Sequence, residues 1–562
     1  MESLLGEVGA GGRFQVQLVA SVKFADMSLA WGMMQMTFAG LVPDWWCQPP
    51  EAANSSHGNW SRDNTTFHIC PVSNNSDTCG EVVFDDSVQT IVNEWTLVCD
   101  LDYVKPMVTS LQMGGVLFGA LLGGQVSDSL GRRPTAYLAY LANLIVSLVT
   151  AFSISWRMFA IMRVLIGVTL GVNIVVLYTY MLEFIGSKRR QLVSAIPGWN
   201  IGVCLFALMA WLFPNWSHLH MAVAALNLPF LLTWFVFPES ARWLAVKGRL
   251  QEAEAVISHL ARVNGRQKPK DTLERLQEVM EEELKAGQGR RYTYIDVYRG
   301  WRMAVTSLAI NFIWFCLSFC YYGISFGVSA LSGNLYLNIA LMVLVEIPAN
   351  FVCVFFADRF GRKWTTFFLA ILSSLSSFGI LISNFKAPTT QQETITTTLA
   401  MISRLSVGAG WTVMNTFTLE QYPTVIRNLG IGAANTAARV GGVLAPIVLN
   451  MDNEEEVVHG YIVVGILMGV SAFTLLLLTE TKGQDLRDSM TSVEVDNRIV
   501  NEPSSRTSSL DAVVPPMTEE PSWSSSRTDA ASAVISRTGE PAKPLTPTSY
   551  EAKEQVEVKV EY

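Results

Sequence analysis

A short charged signature occurs twice in this chain, each time between two long apolar segments. The first copy consists of Gly124, Asp128, Gly131, Arg132 and Arg133. The second copy consists of Asp358, Gly361, Arg362 and Lys363, and it has Val354 where the leading glycine would stand. Two further pairs recur in the same order: Arg163 with Gly167 as Arg404 with Gly408, and Glu183 with Arg190 as Glu420 with Arg427. Three unrelated motifs duplicated in one order indicate an internal repeat.

The composition places this repeat in a membrane. Half of the 562 residues are hydrophobic and only 16% are charged, whereas soluble domains carry about 25% charged residues. The charged residues are concentrated in one loop near the N-terminus, in a central segment and in the C-terminal region. Between them lie apolar runs of roughly 20 residues, which is the length an α-helix needs to cross a hydrocarbon core. The sequence therefore predicts an all-α integral membrane protein.

We predict twelve transmembrane spans, six in each repeat. The first six are 15–42, 105–127, 134–154, 157–182, 192–213 and 217–237. The second six are 302–326, 333–356, 364–384, 395–418, 429–449 and 458–479. Lys and Arg are concentrated in the loops on one side, called here the basic side, and are rare on the other, called the sparse side. The positive-inside rule predicts that the basic side and both termini are cytoplasmic.

The repeat and the loops divide the chain into predicted units. These are an N-terminal six-helix bundle over 1–237 with a large extracellular loop at 43–104, cytoplasmic linker helices over 238–300, a C-terminal six-helix bundle over 301–481, and a tail over 482–562. The tail is rich in Ser, Thr, Pro and Glu, so it cannot bury enough apolar surface to offset its ordering entropy, and disorder is predicted. Its end, Val560-Glu561-Tyr562, fits strand addition in a PDZ groove.

The loop between spans 1 and 2 falls on the sparse side. It carries four Asn-x-Ser/Thr sequons, which predict glycosylation, at Asn54, Asn59, Asn64 and Asn74. It also holds four cysteines, at Cys47, Cys70, Cys79 and Cys99. In an oxidising compartment these are expected to form two disulfides with three open connectivities, and free thiols are the alternative. The histidines and remaining cysteines show no metal-ligand spacing, so neither a metal nor another cofactor is expected.

The duplicated turns predict a device that joins the two repeats. Gly permits a tight turn between helices, and Lys or Arg can pair with acids and helix C-termini. With Glu183 and Arg190 after span 4, and Glu420 and Arg427 after span 10, the motifs are predicted to form a charge network that latches the outward-open state. The alternative is that these cations only set the topology.

Several phrases follow one another in a specific order: VPDWWCQPP, NEWTLVCD, GGQVSDSLGRRP, PESARWL, IWFCLSFCYYG, VEIPA, DRFGRK and EQYPTVIRNLG. With them, about residues 1–485 resemble the major facilitator superfamily, and within it the organic cation, organic anion and carnitine transporters. The resemblance implies the twelve-helix fold, a plasma membrane location, and secondary-active transport of small organic ions by alternating access. It also implies a coupling ion (sodium or proton) or a counter-substrate. No enzyme activity and no nucleic-acid partner are expected.

Charged residues within spans are functional candidates because an ionised side chain in hydrocarbon is costly. Arg439 lies in span 11, Glu346 in span 8, and Trp314, Tyr321 and Tyr322 in span 7. Aromatic faces attract organic cations, and the binding aromatics of the resembled family fall at these positions. The predicted substrate is a carnitine-type zwitterion or an organic cation, with a carboxylate on Arg439 and an ammonium near Glu346 and the aromatic rings.

Three other charged residues and several alternatives remain. Arg163 resembles the structural and coupling arginine of the superfamily and is expected to serve coupling. Lys23 and Asp26 in span 1 are expected to neutralise each other in a structural role. An organic anion exchanger is the second hypothesis, although Asn350 stands where anion exchangers of the family carry Lys. A sugar porter, a channel and a transport-dead receptor are less favoured.

Overall fold

The computed structural model describes residues 1–9, 11–48, 81–186, 189, 193, 196–288, 293–331, 333–386, 389–423, 426–449 and 454–482. Some predictions lie outside these residues, namely those for Asn54, Asn59, Asn64, Asn74, Cys70, Cys79, Arg190, the tail and the C-terminal PDZ segment. Within the described residues, each predicted span corresponds to one long helix.

The first repeat contributes α1 (Arg13–Met34), α2 (Val104–Leu130), α3 (Arg132–Ala151), α4 (Trp156–Glu183), α5 (Gly198–Leu212) and α6 (Trp216–Leu232). The second contributes α7 (Trp301–Phe326), α8 (Leu335–Phe360), α9 (Arg362–Lys386), α10 (Thr389–Gln421), α11 (Arg427–Val448) and α12 (Glu454–Leu475). In the described part of the chain, nine helices are long and apolar enough to cross a membrane. The other three, α1, α5 and α10, are shorter or more polar, and their crossing stays a prediction.

The shorter elements lie at the two sides of the bundle. Those at the sparse side are the helices Met36–Ala39 and Ile91–Trp95 and the antiparallel strands β1 (Trp45–Gln48) and β2 (Glu81–Phe84). Those at the basic side are the helices Glu2–Glu7, Ala241–Val246, Leu250–Val263 and Thr272–Gln288. Asn264 fastens the N-terminus to this layer, because its amide donates to the carbonyl of Val8 at 2.9 Å and accepts from the N–H of Phe14 at 3.0 Å.

The two halves repeat one packing scheme. In the first half α2 packs on α4, α3 on α6, and α1 on α5. In the second half the equivalent pairs are α8 with α10, α9 with α12, and α7 with α11. Contacts between the halves run along α2 with α11 and α5 with α8. The fold is therefore two six-helix pseudo-repeats, as the duplicated motifs predict.

Glycines bring α2 and α4 unusually close. A Cβ at Gly119 would lie 2.8 Å from the carbonyl carbon and 2.9 Å from the Cα of Val168, and one at Gly123 would lie 2.9 Å from the Cα of Val172. Gly167 and Gly171 of α4 meet the backbone of α2 in the same way. Small residues allow such backbone contact in membrane bundles, where close van der Waals packing drives helix association.

The segment after β2 is fastened to the first half alone, as far as the described contacts show. The N–H of Gln89 donates to the carbonyl of Pro214 at 3.0 Å, and the N–H of Trp216 donates to the carbonyl of Gln89 at 3.0 Å. The indole N–H of Trp216 donates to Glu94 at 2.5 Å. We call residues 45–48 and 81–101 the loop platform. Through these bonds the loop platform is held by the connection between α5 and α6.

Candidate functional site

A small cavity lies between the two halves, toward the sparse side. Its wall includes Phe38 and Trp199 from the first half and Tyr321, Met342 and Arg404 from the second. Phe38 also stacks on Tyr336 across the halves, with ring centroids 5.5 Å apart. Both repeats and several aromatic rings therefore line the cavity, and apolar and aromatic linings of this kind are typical of small-molecule sites.

Arg404 of this wall belongs to a buried ion pair. A guanidinium nitrogen of Arg404 lies 3.1 Å from a carboxylate oxygen of Glu346, and the two side chains are only 3% and 6% exposed. The guanidinium carbon also lies 3.6 Å from the centre of the Tyr321 ring, and Nε donates to the hydroxyl of Ser325 at 3.2 Å. The pair neutralises itself in low dielectric, where breaking it would leave an uncompensated charge.

Aromatic residues in the wall and behind it link helices and halves. Trp411 of α10 packs edge-on against Trp314 at 5.0 Å and lies 5.7 Å from the Tyr321 ring. The indole N–H of Trp314 donates to the hydroxyl of Thr418 at 2.9 Å. Across the halves, the indole N–H of Trp199 donates to the Tyr321 hydroxyl at 3.1 Å. Tyr321 is therefore held by contacts from α5, from α10 and from its own helix.

Arg439 lies beside this group rather than within it. Its guanidinium is half-buried and contacts the hydroxyl of Tyr322 at 3.4 Å, a long hydrogen bond. The Tyr322 ring lies 5.4 Å from Tyr321. The structure thus brings Tyr321 and Glu346 together around Arg404, and it places Arg439 and Tyr322 next to them. The predicted direct pairing of Glu346 with a substrate ammonium must compete with Arg404.

Sequence reasoning missed Arg404, Trp411 and Trp199 as members of this group. In the sequence, Arg404 is marked only as the repeat of Arg163. That duplication was the signal that could have identified Arg404 as a member of the group. Trp411 and Trp199 lie on other helices than the aromatic stripe of α7, and helical periodicity reports on one helix at a time.

Arg163 occupies the equivalent place in the first half. It is fully buried, and its guanidinium donates to the side-chain amide oxygen of Gln35 at 2.7 Å and to that of Gln112. Arg404 likewise bonds one residue at the end of α7 and one on α8. The ion pairs among the described residues include none with Arg163, so the first half has amides where the second has a carboxylate.

The first duplicated turn is held by acids of the same half. Arg132 pairs with Asp128 at 2.6 Å and with Glu183 at 3.2 Å. Glu239 accepts the backbone N–H groups of Arg132 and Arg133, each at 3.2 Å. Burial raises the pKa of Glu239, although these hydrogen bonds act in the opposite direction. Its carboxylate lies at the N-terminus of α3, where negative charge is stabilising.

The second turn repeats this arrangement. Arg362 pairs with Asp358 at 3.1 Å and with Glu420 at 3.4 Å. Glu480 accepts the backbone N–H groups of Arg362 at 2.9 Å and of Lys363 at 3.2 Å. Glu239 and Glu480 were missed because each follows its half's last span, far from the motif in sequence. Each described network closes within one half, so the latch between halves stays a prediction.

The other candidates at the turns have distinct surroundings. Gly131 and Gly361 have φ of +111° and +104°, a conformation that glycine alone adopts readily. The Arg133 guanidinium lies 4.0 Å from the centre of the Trp234 ring. Arg427 contacts the carbonyl of Tyr422 at 3.4 Å. A Cβ at Gly124 would have no described atom within 4 Å, so packing against the described residues does not explain that glycine.

Of the four loop cysteines, Cys99 is disulfide-bonded. The Cys47 backbone lies in β1, while its side chain and the other two cysteines are outside the described part, so the connectivity stays open. Among the described residues, no group of three or more His, Cys, Asp or Glu is placed to hold a metal ion.

Comparisons with known proteins assign the family. A family model described as sugar (and other) transporter matches residues 62–491. The organic cation transporter protein of Drosophila melanogaster is 32% identical over 426 residues, covering 74% of this chain and 77% of that protein. Solute carrier family 22 member 7 of Sus scrofa is 32% identical over 534 residues, covering 88% of this chain and 96% of that protein.

The chain belongs to solute carrier family 22, in the major facilitator superfamily. The human member 7 is also similar, at 30% identity over 88% of this chain and 96% of its own. Among solved structures, the partially occluded inward-open xylose transporter XylE of E. coli matches with a TM-score of 0.59 and 15% identity. That match covers 84% of this chain and all of XylE, and it shows the fold alone. As a member of solute carrier family 22, the chain is a multi-pass membrane transporter rather than an enzyme.

Proposed function

We propose that this protein is a secondary-active transporter of the plasma membrane that carries zwitterions and organic cations of the carnitine type by alternating access. Its basic side and both termini are cytoplasmic, and a coupling ion (sodium or proton) or a counter-substrate drives the cycle. The observation that carries the proposal is the buried Arg404–Glu346 pair, whose Arg404 lies in the wall of a cavity with aromatic rings between the halves.

The charge balance of the Arg404–Glu346 pair favours a zwitterion. A lone anion that takes Arg404 leaves Glu346 buried and unpaired, and a lone cation that takes Glu346 leaves Arg404 unpaired. A zwitterion exchanges with both partners at once, so no uncompensated charge remains in the low-dielectric interior. Tyr321 adds an aromatic face for a quaternary ammonium, and Arg439 stands beside it as a further cation for the carboxylate.

The position of the site suits alternating access. Trp199 from the first half and Tyr321 from the second are joined by one hydrogen bond at the cavity. A substrate that contacts Tyr321 or Arg404 therefore acts on the contact between the two halves, and it can bias their relative position through its differential affinity for each state.

An uptake experiment tests the proposal. Cells that express the protein are given labelled carnitine, tetraethylammonium or hippurate, with surface amounts measured in parallel. We expect saturable uptake and counterflow of carnitine, and Arg439→Ala should reduce carnitine uptake more than tetraethylammonium uptake. Absence of saturable uptake and counterflow for all three probes contradicts the proposal. Equal loss of both substrates in Arg439→Ala contradicts the carboxylate role of that residue.

One observation supports an organic anion exchanger as the second candidate. In the described ion pairs Arg439 has no acidic partner, and a half-buried guanidinium beside aromatic rings suits an aromatic carboxylate. Asn350, which stands at the position of the expected Lys, instead accepts a hydrogen bond from Thr412 at 3.0 Å. Hippurate uptake that is stimulated by internal glutarate would favour this candidate over the first.

A further inference from the structure

A second ion pair lies inside the first half, within α1. Lys23 and Asp26 are one helical turn apart, with Nζ 3.3 Å from a carboxylate oxygen, and their side chains are 12% and 29% exposed. Because ionised groups within a span face the bundle interior or water rather than lipid, the exposed edge of Asp26 gives it access to protons.

The N-terminus of α5 lies against this pair. A Cβ at Gly198, the first residue of α5, would lie 3.1 Å from Lys23 Cδ and 3.2 Å from Asp26 Cβ. Among the described residues, no side chain caps this helix end, so its first N–H groups carry partial positive charge without a described side-chain acceptor. The carboxylate of Asp26 therefore stabilises α5 electrostatically, and the ammonium of Lys23 opposes it.

The same turn of α5 reaches the cavity. Trp199 donates to the Tyr321 hydroxyl at 3.1 Å, and the side chain of Asn200 lies near the Glu346 carboxylate. The first turn of α5 thus contacts the Lys23–Asp26 pair with its first residue and the second half with its next two residues.

Within the part of the chain that the structure describes, other helices bring few charged groups to the pair. From α3, the Tyr140 hydroxyl donates to the carbonyl of Ala25 at 2.9 Å. From α6, the neutral Asn227 accepts from Ser28 at 2.6 Å. From α4, Arg163 contacts the carbonyl of Gly32, further along α1. From the basic-side layer, the ring of His259 lies 6.0 Å from Phe14 at the start of α1.

We propose that Asp26 is the coupling site of this transporter and binds one co-transported proton; this rests on the proposed function. The proton comes from water on one side, neutralises the carboxylate, and is released to water on the other side. Protonation breaks the pair with Lys23 and leaves an ammonium beside the positive end of α5. The resulting repulsion loosens the turn that holds Tyr321, so proton binding and the movement of the halves are coupled.

The test uses the purified full-length protein in liposomes that contain a pH-sensitive dye, with carnitine, tetraethylammonium and hippurate as probes. In the wild type, a probe added at acid external pH should drive proton entry, and uptake should fall about tenfold per pH unit above the titration of the carboxylate. Asp26→Asn should abolish proton entry and the pH dependence while counterflow of the probe persists. The control is Asp102→Asn, since Asp102 pairs with Lys105 at 2.7 Å in the same i,i+3 spacing; it should leave the pH profile unchanged.

A second variant keeps the test decisive if Asp26→Asn does not reach the membrane. Lys23→Gln removes the cation that opposes protonation, so the midpoint of the pH profile should move upward by about one unit or more. An unmoved midpoint, proton entry in Asp26→Asn, or wild-type counterflow without proton movement overturns the inference. Failure of all three probes in wild-type counterflow contradicts the proposed function itself, which separates the two results.

Discussion

At the scale of residues, the two equivalent arginines show how a duplicated element acquires different chemistry. Arg163 bonds the amides of Gln35 and Gln112, whereas Arg404 bonds Ser325 and the carboxylate of Glu346. The two arginines have equivalent positions in their halves, but only in the second half does a carboxylate neutralise the charge of the guanidinium. A buried guanidinium without a carboxylate lacks the Coulomb attraction that offsets the desolvation cost of an ion pair. Hydrogen bonds to amide oxygens offset part of that cost for Arg163.

The Arg404–Glu346 pair yields a prediction about stability and uptake together. Arg404→Gln should lower the free energy of unfolding by about 3 to 5 kcal/mol because Glu346 is left buried and unpaired. The double variant with Glu346→Gln should regain most of that stability and still lack carnitine uptake. Thermal unfolding of the detergent-solubilised protein and surface-normalised uptake measure the two effects. Full uptake by the double variant would contradict a binding role for the pair.

At this scale, the sequence predicted the types of functional residue more accurately than it predicted the contacts between them. The costly charges and the aromatic stripe of α7 were identified, and Tyr321 and Glu346 do lie close together. The partner that joins them, Arg404, comes from another helix, and its contact depends on how α7, α8 and α10 pack. A pattern along one helix does not contain that information.

At the scale of elements, the glycines of α2 supply a matched pair of variants. Gly119→Ala places a Cβ against the backbone of Val168 in α4, whereas a Cβ at Gly114 on the same helix would have no described atom within 4 Å. We expect Gly119→Ala to lower the free energy of unfolding by about 1 to 3 kcal/mol, the usual cost of overpacking. Gly114→Ala should leave the unfolding temperature unchanged. Equal unfolding temperatures for the two variants would contradict the close approach of α2 and α4.

Two helices begin at residues other than those predicted from hydropathy. Helix α5 begins at Gly198 although span 5 was predicted from 192, because Pro197 disfavours helix for the residue before it and lacks an N–H. Helix α10 begins at Thr389 although span 10 was predicted from 395. There the polar run TTQQET continues the backbone hydrogen bonds of the helix, which a search for apolar runs does not detect.

At the scale of the whole molecule, the repeat was predictable because its motifs survive in both halves. The contact between the halves was not, since it depends on side chains such as Trp199 that carry no repeated signature. Each turn network was predicted in part. Its Arg and acidic pairs follow from the spacing of the motifs, whereas Glu239 and Glu480 lie in the non-helical segments that follow the last helix of each half.

The latch between the halves has a direct test in Asp128→Asn. The Asp128 carboxylate is 72% exposed, so its pair with Arg132 should contribute less than about 1 kcal/mol to stability. We expect normal surface expression with reduced carnitine uptake, because the change weakens a network required in another conformation. Normal uptake at normal surface expression would leave the turn with a topological role only.

The hydrogen bond between Trp199 and Tyr321 tests the contact at the cavity. Trp199→Phe keeps an aromatic ring and removes one N–H donor, so the balance between conformations should shift by about 1 kcal/mol, or about fivefold. The apparent KM for carnitine should change by up to that factor with unchanged surface expression. Val203→Ala, on the same helix and also in the cavity wall, is the control that alters volume without touching a hydrogen bond.

The loop platform offers a practical consequence. Gln89, Glu94 and Trp216 fix the loop platform to one bundle. An antibody fragment that binds only the loop platform should therefore move with that bundle in every turnover and leave the turnover rate unchanged. A fragment that also binds the α7–α8 hairpin would hold the two bundles in one relative position. A fragment that binds both bundles should arrest the transport cycle from outside. In single-particle imaging, either fragment is a fiducial whose tilt reports which bundle has moved.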